Sequence, residues 1–192
     1  RDALAKTVVS PDVIQLVPSN DRDTTRALLN ARGKVDLVIP RGSANLIRMV
    51  VDESTVPTIE TGAGVCHVYV DAKADLEKAL PILINSKCHR PSVCNAAETL
   101  LIHQDVAQKF LPIALKALHG AGVVLHCDPA ALEVAKSLDL PASLVTEENW
   151  STEYGVLEMN VGVVSDLKSA SEHILKYGTN HTEAIVTESE ER

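Results

Sequence analysis

The sequence predicts an α/β fold, a three-layer arrangement in which a parallel sheet is covered by helices on both faces. Three features carry that expectation. Short runs rich in Val, Ile and Leu alternate with helix-period segments along almost the whole chain. The runs are apolar at nearly every position, as in strands buried on both sides. A length of 192 residues at 45% hydrophobic content supplies enough core for one or two compact domains.

In chain order, the first run is "VIQLV" at residues 13–17, read as a buried strand. "DRDTTRALLNAR" follows with helical spacing, and "VDLVIP" at 35–40 reads as a second strand. "GSANLIRMVVDES" begins another helix, with Ser43 placed to cap it. After "VPTIE" the alternation runs "CHVYV" strand, "ADLEKALPILIN" helix, "TLLIH" strand, "DVAQKFLPIALKAL" helix, "GVVLHC" strand and "PAALEVAKSL" helix. It closes with "NVGVV" as strand, "DLKSASEHILKYG" as a helix stopped by Gly178, and "AIVTE" as strand. The opening lies inside a helical pattern and "TESEER" has the composition of a helix's first turn, so a piece of a longer protein is expected.

Composition excludes several classes. A formal charge of −8 argues against a nucleic-acid partner, and 3% aromatic residues leave little for base stacking. No apolar run approaches the roughly eighteen residues of a membrane span, and "RDALAK" lacks the apolar core of a secretory signal. The four cysteines, at 66, 88, 94 and 127, form no C-x-x-C pair, which fits a reducing, cytoplasmic setting. Cys66-His67, Cys88-His89 and His126-Cys127 invite a zinc reading, but strand neighbours point to opposite faces, so no metal site is expected.

The chemistry concentrates in "SKCHRPSVCNAAETLLIH". Asn95-Ala-Ala-Glu98 has the spacing of a capping box, so one helical turn is expected to start beside Cys94. Its free amides would favour a thiolate and hold a developing oxyanion, and Arg90 adds positive charge for the thiolate or for an anionic substrate. The same features also suit a buried structural cysteine near a solvated arginine. In "IETGAGVCH", Glu60 ahead of Gly62 and Gly64 reads either as a general base in a crevice or as a solvated residue before a tight turn. "PRGSANLI" at 40–47 is a strand-to-helix turn that suits a pyrophosphate, yet it lacks G-x-G-x-x-G spacing and is equally a plain turn. The histidines are scattered, and none is placed beside Cys94 as a Cys-His hydrolase requires; His181, in the polar loop "GTNHTEAI", is the stronger candidate among them.

"RPSVCNAAETLLIH" closely resembles the nucleophile motif of the gamma-glutamyl phosphate reductase family, within the aldehyde dehydrogenase superfamily. "VDLVIPRGSANLIR", "VPTIETGAGVCHVYVD", "TEYGVLEMNVGVV" and "YGTNHTEAIVTE" match in the same order, so the likeness covers nearly the whole chain. The resemblance implies an aldehyde dehydrogenase-like fold, with 1–54 as the C-terminal part of an NADP-binding domain and 55–192 as an incomplete catalytic domain. It implies NADPH-dependent reduction of L-glutamyl 5-phosphate to glutamate 5-semialdehyde in proline biosynthesis, through a thioester on Cys94. It makes Gly42, Ser43 and Glu153 cofactor contacts, and Arg90, Asn95 and His181 substrate contacts. Glu60 aligns with the superfamily carboxylate that serves as general base, although Gly62-Ala63-Gly64 departs from the Gly-Gly pattern and suits a positioning role. "EYGVLE" likewise departs from Glu-x-Phe-Gly-Pro around Glu153. A homo-oligomer and a glutamate 5-kinase partner are further expectations, as is inactivity of these 192 residues by themselves. A truncated, noncatalytic binding or structural subunit is the competing reading.

Overall fold

The computed structural model describes residues 2–42, 44–60 and 62–191, with only the helical backbone of Ala44. The chain divides into two compact units, Arg1–Thr61 and Gly62–Arg192.

The first unit is built on α1 (Arg22–Leu29) and α2 (Ala44–Glu53). The Asp21 carboxylate accepts the Asp23 amide at 3.1 Å and starts α1. Arg26 reaches from α1 to Glu53 at the end of α2, at 2.8 Å. Leu29, Val50 and Val56 are buried here. The Leu29 carbonyl accepts the Thr55 and Val56 amides, and Val38 bridges to Thr58. Residues 55–60 therefore fold back on this unit.

Two expected strands do not form. Val13 ends a 3-10 turn, Pro11–Val13, residues 14–17 continue without a strand, and Val13, Ile14, Leu16 and Val17 are exposed. Residues 35–40 make only isolated bridges. An apolar run becomes a strand only beside a partner that takes its amides and carbonyls, and among the described residues neither run has a continuous ladder alongside. Ser43, expected to cap α2, lies outside the described residues.

The second unit is the expected parallel sheet. Its elements are β1 (Cys66–Val70), α3 (Leu76–Cys88), β2 (Ala97–His103), α4 (Gln104–Gly120), β3 (Val124–Cys127), α5 (Pro129–Ser137), β4 (Ser143–Leu144), α6 (Glu147–Trp150), β5 (Glu158–Val164), α7 (Leu167–Tyr177) and β6 (Glu183–Val186). The strand order is β4-β3-β5-β2-β1-β6, and every pairing is parallel. β4 and α6 have no counterpart in the sequence reading, because a two-residue strand and a one-turn helix carry no periodicity.

Side-chain alternation separates the two faces. Val68, Val70, Leu100 and Ile102 point into the large core beneath α3, α4 and α5, which also holds Phe110, Leu115 and Leu118. Tyr69 and Leu101, one register step away, meet Ala170 of α7 on the other face. Each long helix starts on a side-chain cap: Asp75 for α3, His103 for α4, Asp128 for α5 with Pro129 at its first position, and Asp166 for α7. Parallel pairing sets the amino ends of β1, β2, β5 and β6 along one edge, where the loops entering those strands gather.

Candidate functional site

Cys94 sits at that amino edge. The Val93 amide bonds to the Arg90 carbonyl at 3.2 Å, and the Ala96 amide to the Val93 carbonyl at 3.0 Å. Two β-turns thus share Val93. Pro91 takes the second position of the first, where its fixed φ fits, and Cys94 and Asn95 form the exposed corner of the second. The helical turn expected here is absent: Ala97 to His103 is strand throughout, fully buried between β1 and β5. Glu98 does not reach back to cap, because its carboxylate is used elsewhere. The one complete capping box in the described residues lies at Thr146 and Asn149, before α6.

The Cys94 turn is seated on the loop that enters β1. A Cβ on Gly64 would lie 1.9 Å from the Cys94 carbonyl oxygen, so only glycine permits this approach. The Cys66 thiol donates to the same oxygen at 3.3 Å. Cys66 also lies 3.8 Å from Nδ1 of exposed His181, which contacts the Thr182 hydroxyl at 2.8 Å. The Val65 amide is taken by the Thr179 hydroxyl at 3.0 Å, so the loops entering β1 and β6 lock together beside the turn. The spacing of Gly62 and Gly64 suggests a crevice or a tight turn, and the close contact with Cys94 has no signature in it.

The other cysteines are poorly placed for chemistry. Burial first, then Glu183, pushes the Cys66 thiol up to about 11. Burial, with Asp128 adding to it, takes Cys127 to about 12. Cys88 is half-buried and burial raises it as well. Of the four, Cys94 is the exposed one.

Arg90 and Asn95, on the turns themselves, are exposed and share the amino edge with Cys94 and His181. Glu153 is exposed in the loop that enters β5 at the same edge. Gly42 and Glu60 belong to the first unit, Gly42 at an exposed bend just before α2 and Glu60 exposed beyond the Val38–Thr58 bridge.

A buried polar network behind this edge was missed by the sequence reading. Lys87 Nζ meets Glu98 Oε2 at 2.5 Å, with the two side chains 0% and 1% exposed. The other Glu98 oxygen accepts the Gly155 amide at 3.2 Å. Burial pushes the Glu98 carboxyl up, and Lys87 and the Gly155 amide pull it back. Next to Gly155, the Tyr154 hydroxyl donates to Asn160 at 2.8 Å and accepts from Asn149 at 3.0 Å. Its ring stacks on His126. The available signal was a lone carboxylate inside the apolar run "AAETLLIH", since a charge in a doubly buried strand requires a partner.

An exposed cysteine thus sits on a loop at one edge of a helix-covered parallel sheet, and the chain belongs to the aldehyde dehydrogenase family, whose sequence profile matches residues 2–130. Among curated proteins, it is 52% identical to the gamma-glutamyl phosphate reductase of Kineococcus radiotolerans over 97% of this chain and 43% of that protein. It is also 52% identical to the gamma-glutamyl phosphate reductase of Thermobifida fusca, over 99% of this chain and 44% of that protein. The chain therefore spans less than half the length of these relatives. Among solved structures, the gamma-glutamyl phosphate reductase of Thermotoga maritima superposes with a TM-score of 0.89 at 39% identity, over 99% of this chain and 45% of that one. No helix among the described residues is long and apolar enough to cross a membrane.

Proposed function

We propose that the chain is the catalytic domain, with the last part of the cofactor domain, of an NADPH-dependent reductase that converts L-glutamyl 5-phosphate to L-glutamate 5-semialdehyde and phosphate in proline biosynthesis. The observation that carries this reading is the exposure of Cys94 at a turn corner, while Cys66 and Cys127 are buried with raised pKa values. The relatives named above support the substrate.

In this reading the Cys94 thiolate attacks the acyl carbon, the carbon–oxygen bond to phosphate breaks, and phosphate leaves with the electron pair. The glutamyl group remains as a thioester, which accepts hydride far more readily than a carboxylate does. When bound, NADPH would supply that hydride, and the aldehyde would leave with Cys94 restored as its thiolate. Arg90, Asn95 and His181 hold the anionic substrate at the amino edge, and Glu60 positions rather than deprotonates, because departing phosphate removes the need for a base.

The residues present suit a dinucleotide. Gly42 is an exposed bend ahead of a ten-residue helix whose first turn carries no acidic side chain, so a phosphate approaching it meets no repelling charge. Gly42 and Ser43 take the pyrophosphate and Glu153 the nicotinamide ribose. Residues 1–54 belong to the cofactor domain and 55–192 to the catalytic domain. The protein works in the cytoplasm as a homo-oligomer, supplied by a glutamate 5-kinase.

The test is NADPH consumption by the intact gene product with L-glutamyl 5-phosphate made in place by a kinase and ATP. Cys94→Ser abolishes turnover, whereas Cys127→Ser retains it. Turnover that survives Cys94→Ser, or the absence of NADPH-dependent turnover in the unmodified protein, refutes the reading.

A further inference from the structure

Three segments of the second unit meet at the buried Lys87–Glu98 pair. Lys87 lies in the last turn of α3, three residues before Arg90. Glu98 is in β2, four residues after Cys94. Gly155, whose amide Glu98 accepts, is two residues after Glu153. Nothing in the chemistry of the site uses either charge. Replacing a buried ion pair with apolar groups of similar volume is commonly neutral or stabilising, so stability alone does not account for charges at 0% and 1% exposure.

Geometry supplies another role. The loop from 151 to 157 has no strand or helix of its own. It is held at Gly155 by Glu98 and at Tyr154 by Asn149 and Asn160. Gly155 has φ +64°, a left-handed conformation that turns its amide toward the carboxylate at little steric cost. Lys87 lies 6.0 Å from the Tyr154 ring centroid, at the outer reach of a cation–π interaction, so the cation bonded to Glu98 also sits beside the second anchor of the loop.

We propose that Lys87 and Glu98 form a positioning strut for the site: Glu98 grips the Gly155 amide and fixes the Glu153 loop to the strand that follows the Cys94 turn, and Lys87 compensates the buried Glu98 charge there. Neither residue touches a reacting atom. The inference rests on the reductase reading for its catalytic consequence, but the strut itself is a structural claim that can be measured separately.

Two double variants of the intact gene product separate the roles. Lys87→Met/Glu98→Gln removes both charges and keeps an oxygen to accept the Gly155 amide, whereas Lys87→Met/Glu98→Leu removes the acceptor. The strut predicts faster hydrogen exchange over residues 153–157 in the second variant only. It also predicts a roughly 100-fold loss of kcat/KM for NADPH in the second, with the first within about threefold of wild type. Lys87→Met/Glu98→Met, with an unbranched and adaptable side chain, replaces the second variant if that one does not fold. Equal exchange over 153–157 in both variants overturns the proposal, as does an equal effect on turnover. If the unmodified protein shows no reductase activity, the functional reading fails while the exchange experiment still decides the strut.

Discussion

Replacing Gly64 with alanine puts a methyl group 1.9 Å from the Cys94 carbonyl oxygen, where ordinary contact begins at 3.4 Å. The difference, 3.4 − 1.9, requires the carbonyl and the Gly64 backbone to separate by about 1.5 Å. Backbone lies on both sides, so no flexible side-chain end can absorb the shift. The same oxygen accepts the Cys66 thiol, and that bond is stretched or lost in the process. Overpacking of this kind costs about 1–3 kcal/mol. Displacing a nucleophile by about 1 Å lowers turnover on the order of 100-fold. Gly62→Ala is the internal control, because a Cβ there meets nothing within 4 Å. The assay is urea unfolding together with alkylation of Cys94 and NADPH-linked turnover, all on the intact gene product. The expected result is a destabilised Gly64→Ala protein with strongly reduced turnover beside a near-normal Gly62→Ala protein. Gly64→Ala within about 0.5 kcal/mol of wild type, with unchanged alkylation and turnover, refutes the argument that this contact sets the Cys94 turn.

Lys87→Ala leaves Glu98 buried without its cation and is expected to cost about 3–5 kcal/mol in urea unfolding; a loss under about 1 kcal/mol contradicts the pair's burial. Burial first, then His67 and Lys176, lowers His173 to about 4 from 6.5, against a smaller upward pull from Glu147. The folded protein keeps this ring neutral while the unfolded chain takes up a proton below about pH 6.5, so the contribution to stability is full above that pH and falls as pH drops toward 4. His173→Phe retains an aromatic ring against Trp150 and Tyr177 and is expected to move the acid-unfolding midpoint downward; an unchanged midpoint contradicts the assignment.

The second unit was legible because its central strands are apolar on both faces and its main strands are separated by helices with clear caps. "CHVYV" and "TLLIH" could hardly be anything but interior strands, and both are buried at every position. The first unit was less so, since "VIQLV" and "VDLVIP" have strand composition but composition does not supply the neighbouring strand. At Cys94 the local structure differs from the expected helical turn. Asn95 and Glu98 have the spacing of a cap, yet Pro91 and Asn95 are better turn residues, and the apolar run from 99 onward is held in the sheet. Tertiary pairing overrode a local motif. The Gly64 contact and the Lys87–Glu98–Gly155 link join residues far apart in the chain, and one sequence without its folded form gives no distance between them.

The most direct measurement of the central claim is the site of acylation. The intact gene product is incubated with L-glutamyl 5-phosphate generated in place, without NADPH, then digested and analysed by mass spectrometry. The account predicts a hydroxylamine-labile glutamyl adduct on the peptide containing Cys94, absent in Cys94→Ser. Equal modification of Cys66, Cys88 and Cys127, or no adduct on Cys94, contradicts it.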